Sequence, residues 1–119
     1  MCLKQSLGKK GEDIATKYLE ENNFKIIEKN FSCRQGEIDI IAHDFNSNEL
    51  VFVEVKCRSN LNYGTPANAV DFNKQKHIIR VAEYYVFKNK IYTVGIRFDV
   101  IEIFGSQLKI RHIKQAFTK

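Results

Sequence analysis

At 119 residues with 44% hydrophobic content, the chain is one domain, large enough for a continuous core and too short for two. A formal net charge of +5 suits a polyanionic partner. No run is long enough to span a bilayer and residues 1–5 open no apolar secretory segment, so neither a membrane protein nor a secreted one is expected.

Cys2, Cys33 and Cys57 form no C-x-x-C pair, and His43, His77 and His112 add no zinc-ligand spacing to them; the expectation is a cytoplasmic chain without structural zinc. Leu7, Ile14, Ala15, Tyr18 and Leu19 recur at helical spacing and predict a helix over residues 6–21, with Ser6 as its cap. Gly11 falls in the middle of that face, where glycine costs about 1 kcal/mol of propensity against alanine, which points to close approach of another backbone. Glu12 stands at the margin of the face. Its carboxylate either reaches a site on the sheet beneath or sits in solvent, favoured by the helix dipole. Asn22 and Asn23 end the helix, residues 24–31 read as a strand, and residues 32–35 as a turn carrying Arg34, a candidate phosphate contact.

Residues 36–58, GEIDIIAHDFNSNELVFVEVKCR, hold two apolar runs around the turn-forming Phe45-Asn46-Ser47-Asn48, the pattern of a β-hairpin. Alternation puts Glu37, Asp39 and Ile41 on one face of the first strand and Ile38, Ile40 and Ala42 on the other. In the second strand Val51, Val53, Val55 and Cys57 share a face, and Phe52, Glu54, Lys56 and Arg58 share the opposite one. A two- or four-residue loop centred between Asn46 and Ser47 places Asp39 across from Glu54. Like charges so placed repel, and burying them costs more. A divalent cation compensates economically: Mg²⁺ or Mn²⁺ would take the carboxylates of Asp39 and Glu54, with the carbonyl of Val55 as a further oxygen. Lys56 then lies where a fixed positive charge stabilises a phosphate oxyanion or orients a metal-bound water. The bland alternative is a charged edge strand whose Glu and Lys face water.

Beyond the hairpin, residues 58–65 read as a polar loop with Arg58 and Tyr63 as candidate nucleic-acid contacts. Thr65-Pro66 reads as a helix start and residues 67–72 as a short turn before the main helix, which runs through Lys88 with Ile78, Ile79, Val81, Ala82, Tyr85 and Val86 as its buried face. Lys74 shares the line of Ile78 and Val81 in the first turn. That is the wrong end of the helix dipole for a lysine, a sign of a partner on the sheet. Residues 91–104 predict a long strand in which Arg97 and Asp99 pair, and residues 108–113 a last strand. Lys109, Arg111 and Lys114 make this edge a candidate for phosphate binding, or simply a guarded edge.

An Asp on one strand followed by Glu-x-Lys on the next resembles the core of the PD-(D/E)xK nucleases, here Asp39 and Glu54-Val55-Lys56. The wider set, Gly8-x-x-Gly11-Glu12, Gly36-Glu37-Ile38-Asp39, Val53-Glu54-Val55-Lys56-x-Arg58, Gly64-x-Pro66 with Ala69-Val70, and Lys74, resembles the YraN family, which is similar in turn to archaeal Holliday-junction resolvases. Ile38 stands where the wider superfamily has proline. The resemblance implies an α/β, restriction-endonuclease-like fold: a central mixed sheet of about five strands flanked by helices, in the order helix, three strands, helix, two strands. It also implies a Mg²⁺- or Mn²⁺-dependent endonuclease acting on DNA, branched DNA included. Asp39, Glu54, Lys56 and the helix-borne Glu12 would be its catalytic set, Glu37 a weaker member, and a homodimer its analogous assembly. A non-catalytic nucleic-acid-binding module that keeps the fold, and a protein-interaction domain with a structural ion cluster, are the competing readings.

Overall fold

A computed structural model describes residues 3–58, 70–105 and 109–119. The elements run α1 (Leu3–Glu21), β1 (Phe24–Cys33), β2 (Gly36–Asp44), β3 (Glu49–Arg58), α2 (Phe72–Lys88), β4 (Gly95–Phe104) and β5 (Lys109–Phe117). The strands form one mixed sheet in the order β1-β2-β3-β4-β5, with β3 and β4 parallel and the remaining neighbours antiparallel. This is the α/β, restriction-endonuclease-like arrangement expected. No helix among the described residues is long and apolar enough to cross a membrane.

Turn chemistry sets the register at the centre of the sheet. Asp44 pairs with Glu49 around the four-residue loop. Its carboxylate accepts the N–H of Asn46 at 2.9 Å and its carbonyl that of Asn48 at 2.7 Å. Asn48 takes the left-handed backbone (φ 56°) that asparagine tolerates well. The resulting ladder pairs Ile41 with Phe52 and Ile40 with Val53.

Two cores cover the two faces. Ala15, Leu19, Ile40, Ala42, Val51, Val53, Ile101 and Ile103 pack beneath α1, and Ile41, Phe52, Ile78, Val81, Tyr85, Phe98 and Val100 beneath α2. Gly11 does permit a close approach, although the neighbour is a side chain: a Cβ there would collide with Cys57 Sγ. One expected face is corrected, because Ile38 packs on the α2 side while Ile40 and Ala42 pack on the α1 side. The alternation slips at Asp39. Pairing with β1 there runs through Lys29–Ile40 and Phe31–Ile38, and the intervening Asn30 is left-handed (φ 54°).

Several boundaries also move. Helix α1 already includes Ser6, so that residue is not its cap. The side chains of residues 3–9, Leu7 among them, lie outside the described residues, as do residues 59–69 with Tyr63, Gly64 and the Thr65-Pro66 start. Helix α2 begins at Phe72, at the end of the expected turn, and is capped by Asp71, whose carboxylate accepts the N–H of Lys74 at 2.8 Å. Strand β4 begins at Gly95 rather than 91, since residues 89–91 are still bonded to carbonyls of the last helical turn. Strand β5 continues to Phe117, where Phe98 and Phe117 stack at 5.0 Å.

Arg97 and Asp99 pair as expected, within a larger network. The Arg97 guanidinium bonds Asp99 at 2.8 and 2.9 Å, Asp44 at 3.0 Å and Glu49 at 2.9 Å. His112 Nε2 lies 2.7 Å from Asp99 Oδ2, which only accepts, so Nε2 carries the proton. These bonds tie the hairpin loop, β4 and β5 together under α1.

Candidate active site

The register sets Asp39 and Glu54 next to each other just past the last ladder pair, Ile40–Val53. Here the backbone ladder gives way to a side chain, as the N–H of Val55 donates to Asp39 Oδ2 at 2.8 Å. In an extended strand the N–H and C=O of one residue point to the same side. The Val55 carbonyl therefore turns toward the same gap.

The two carboxyl groups are close enough for each to act on the ionisation of the other. Glu54 is 8% exposed. Its burial, and then the charge of Asp39, push its carboxyl up to about 7, although Lys74 and Lys56 pull the other way. Asp39 is raised too, chiefly by burial, against the opposing bonds from Val55 and Glu54. Two lysines converge on the same oxygen: Lys56 Nζ is 3.7 Å and Lys74 Nζ 3.9 Å from Glu54 Oε2. Lys74 thus has the partner that its place in the first turn of α2 implied. It arrives from the helix, whereas Lys56 belongs to the strand.

Glu12 approaches from α1. Burial and the negative charge of Asp39 raise its carboxyl, while a side-chain bond from Asn30 lowers it. The left-handed backbone of Asn30 thereby acquires a role, since it turns a polar side chain toward Glu12 at the point where Asp39 breaks the strand alternation. Sequence reasoning missed Asn30; an Asn inside a strand pattern, a residue that tolerates φ > 0, was the available signal.

The other predicted residues separate into groups. Glu37 is exposed, and its charge raises the carboxyl of Asp39. Arg34 sits in the β1–β2 turn beside a cavity of about 420 Å³ shared with Phe31, Tyr84 and Lys88. Arg58 and Arg111 both turn to Glu102, an acid not singled out in the sequence, which is fully buried on β4. Lys109 and Lys114 are exposed on β5.

Among the described residues no three His, Cys, Asp or Glu side chains form a ready-made metal cage. The donor set present is a pair of carboxylates with a backbone carbonyl. That suits a hard cation such as Mg²⁺, which keeps several waters and takes the rest of its shell from a phosphate. It does not suit zinc.

A sequence model of "Uncharacterised protein family UPF0102", the YraN family, matches residues 11–103. Similar chains include UPF0102 proteins of Caldanaerobacter subterraneus subsp. tengcongensis (43% identical, covering 96% of each chain) and of Clostridioides difficile (49%, covering 90% of this chain and 92% of the relative). A UPF0102 protein of Geobacter metallireducens is 47% identical over 95% of this chain and 93% of its own.

Proposed function

The chain belongs to the UPF0102 family, and from its paired acids we propose that it is a Mg²⁺- or Mn²⁺-dependent endonuclease of DNA, branched DNA included. The observation that carries this reading is the Asp39–Glu54 pair, a half-buried and a buried acid side by side, with two lysine ammonium groups within 4 Å of one Glu54 oxygen. A fold gains nothing by holding carboxylates against each other. A site that must attract a divalent cation gains from it.

Asp39, Glu54 and the Val55 carbonyl would hold the ion. When bound, it supplies Lewis-acid stabilisation of the scissile phosphate and a water of lowered pKa. The residues do the rest. Glu54 gives up its proton on loading, which is easy above about pH 7. Lys56, no longer needed to balance Glu54, turns its charge to the developing phosphate oxyanion or to the attacking water. Lys74 holds Glu54 in place. Glu12, kept basic by its raised pKa and oriented by Asn30, assists at the metal or takes a proton from the water. Cutting both strands of a branched duplex requires two such sites, which a homodimer would supply, and the cytoplasm offers both DNA and Mg²⁺.

The test is purified protein against linear, flapped and four-way DNA with Mg²⁺, Mn²⁺ or chelator. Metal-dependent cleavage that Asp39→Asn abolishes is the expected result. Cleavage that survives chelator or that substitution overturns the reading, and binding without cleavage under every condition returns the chain to a non-catalytic module.

A further inference from the structure

The face of the sheet that bears Glu54 does not end at Glu54. Residue for residue, β3 pairs with β4 and β4 with β5, so Lys56, Glu102 and Arg111 form one row across the sheet, and Arg58, Phe104 and Lys109 form the next. Alternation keeps all of them on the side of Glu54. Four cations and one acid thus lie in a continuous strip from the acid pair to the β5 edge.

The acid is the informative member. Glu102 has no exposure, and both of its oxygens are used sideways by arginines. Oε2 takes Arg58 Nε at 3.0 Å and Arg58 Nη2 at 2.9 Å, and Oε1 takes Nε and Nη2 of Arg111. If balancing a buried carboxylate were the only task, one side-on arginine would do it. Here two cations meet one anion, and the arginine side chains stay 34% and 27% exposed. The positions are fixed from behind as well, because the N–H of Gly105 donates to the Arg58 carbonyl at 2.9 Å and the Arg111 guanidinium lies 6.0 Å from the centre of the Phe104 ring. Two guanidinium groups held on one buried carboxylate carry more positive charge than that carboxylate balances, so a second anion placed beside them gains from both.

We propose that Arg58 and Arg111, oriented by Glu102, form a phosphate subsite of the DNA backbone beside the acid pair, on the side leading to β5. The proposal rests on the nuclease reading for its ligand. Glu102 is a positioning residue: it makes no contact with DNA and sets where the guanidinium groups stand. Lys109 continues the strip at the edge. Lys114 does not, since it follows His112 and Ile113 in the alternation and falls on the opposite face, ahead of the bulge at Gln115 (φ 54°).

The experiment measures DNA binding in chelator, where no cleavage occurs, by fluorescence anisotropy across a salt series. Arg58→Met and Arg111→Met are each expected to weaken binding about tenfold and to lower the slope of log K against log salt by about 0.9, the signature of one lost phosphate contact. Lys114→Met should leave the slope unchanged. Glu102→Gln is the sharpest arm. It raises the net charge by one and by charge alone would tighten binding; as a positioning residue its loss weakens binding, because one arginine loses its acceptor. Unchanged slopes in both arginine variants overturn the subsite, tighter binding in Glu102→Gln overturns the positioning role, and a Glu102 variant that does not fold leaves the arginine and Lys114 comparison to decide. Failure of the wild type to cleave with Mn²⁺ counts against the nuclease reading alone, since these slopes are read without metal.

Discussion

Replacing Glu54 by Gln should stabilise the metal-free protein, and by an amount that grows with pH. The Glu54 carboxyl titrates near 7 in the folded chain against an ordinary 4.5. Between those values the folded state holds a proton that the unfolded state has released, so wild-type stability falls as pH rises through this window. At about 1.4 kcal/mol per pH unit the loss reaches about 3 kcal/mol by pH 8. Glutamine keeps the length and can still hydrogen-bond Asp39, and it has no charge to bury. The titration point near 7 already contains the pull of Lys56 and Lys74, at 3.7 and 3.9 Å from the carboxylate. The expectation is therefore about 3 kcal/mol at pH 8, equal to a rise of roughly 12 °C in Tm for a chain of this size, and no gain at pH 4.5. Thermal melts of both proteins from pH 4.5 to 8, in chelator, test it. A difference that does not change with pH, or a variant that loses ground as pH rises, would refute the account of a strained acid pair.

Asp39→Asn retains an oxygen for the Val55 N–H, so the fold should survive while calorimetric Mn²⁺ affinity drops; Asp39→Ala, which orphans that N–H, should cost a further 1–3 kcal/mol or so in urea unfolding. If Asp39→Asn unfolds the metal-free protein, Asp39 is a structural acceptor first and the metal site loses its footing. Lys56→Ala should bind Mn²⁺ as well as wild type or better, yet cut DNA about 10² to 10³ times more slowly; equal losses in both would merge its role with that of the acids. Gly11→Ala drives a Cβ into Cys57 Sγ and should destabilise, whereas in a Cys57→Ala background the same change should stabilise by about 1 kcal/mol through helix propensity, a reversal of sign visible in a double-mutant cycle. Arg97→Met strands the buried Asp44 and Asp99, both held below the usual carboxylate range against their burial, Asp44 by the Asn46 N–H and Arg97 and Asp99 by His112 and Arg97. It should cost about 3–5 kcal/mol at pH 7 and less near pH 4, where these acids protonate; a cost that is the same at both pH values would exclude the charge mechanism.

The centre of the site was legible because turn chemistry and period-two alternation are local rules. Phe45-Asn46-Ser47-Asn48 sets a loop length, the loop length sets a register, and the register brings Asp39 to Glu54 without any knowledge of the tertiary fold. Lys74 was legible for a similar reason, as a cation at an unfavourable helix end. What escaped depends on neighbours far along the chain. That Ile38 joins the opposite core from Ile40 depends on how β2 lies beside β1, where the left-handed Asn30 of that other strand falls between their partners. Glu102 has a visible anomaly, an acid between Ile101 and Ile103, but nothing in the sequence says that Arg58 and Arg111 lie beside it; that requires the parallel pairing of β3 with β4 and the return of β5. The main helix was legible too, since it begins at Phe72 at the end of the expected turn, although its cap, Asp71, was not singled out.

The parallel joint between β3 and β4 has a consequence for how the molecule assembles. Strands β1, β2 and β3 follow one another through tight turns and can zip together as soon as they exist, whereas β4 finds β3 only after the crossover that contains α2 has been laid across the sheet. The acid pair therefore belongs to the fast, local half of the chain, and Lys74 and the arginine subsite to the slow, non-local half. On that order of assembly there is an interval in which Asp39 and Glu54 face each other before α2 brings Lys74 to temper them. A divalent ion present in that interval would bind an unfinished site, so refolding rates, and not only final stability, should respond to Mg²⁺.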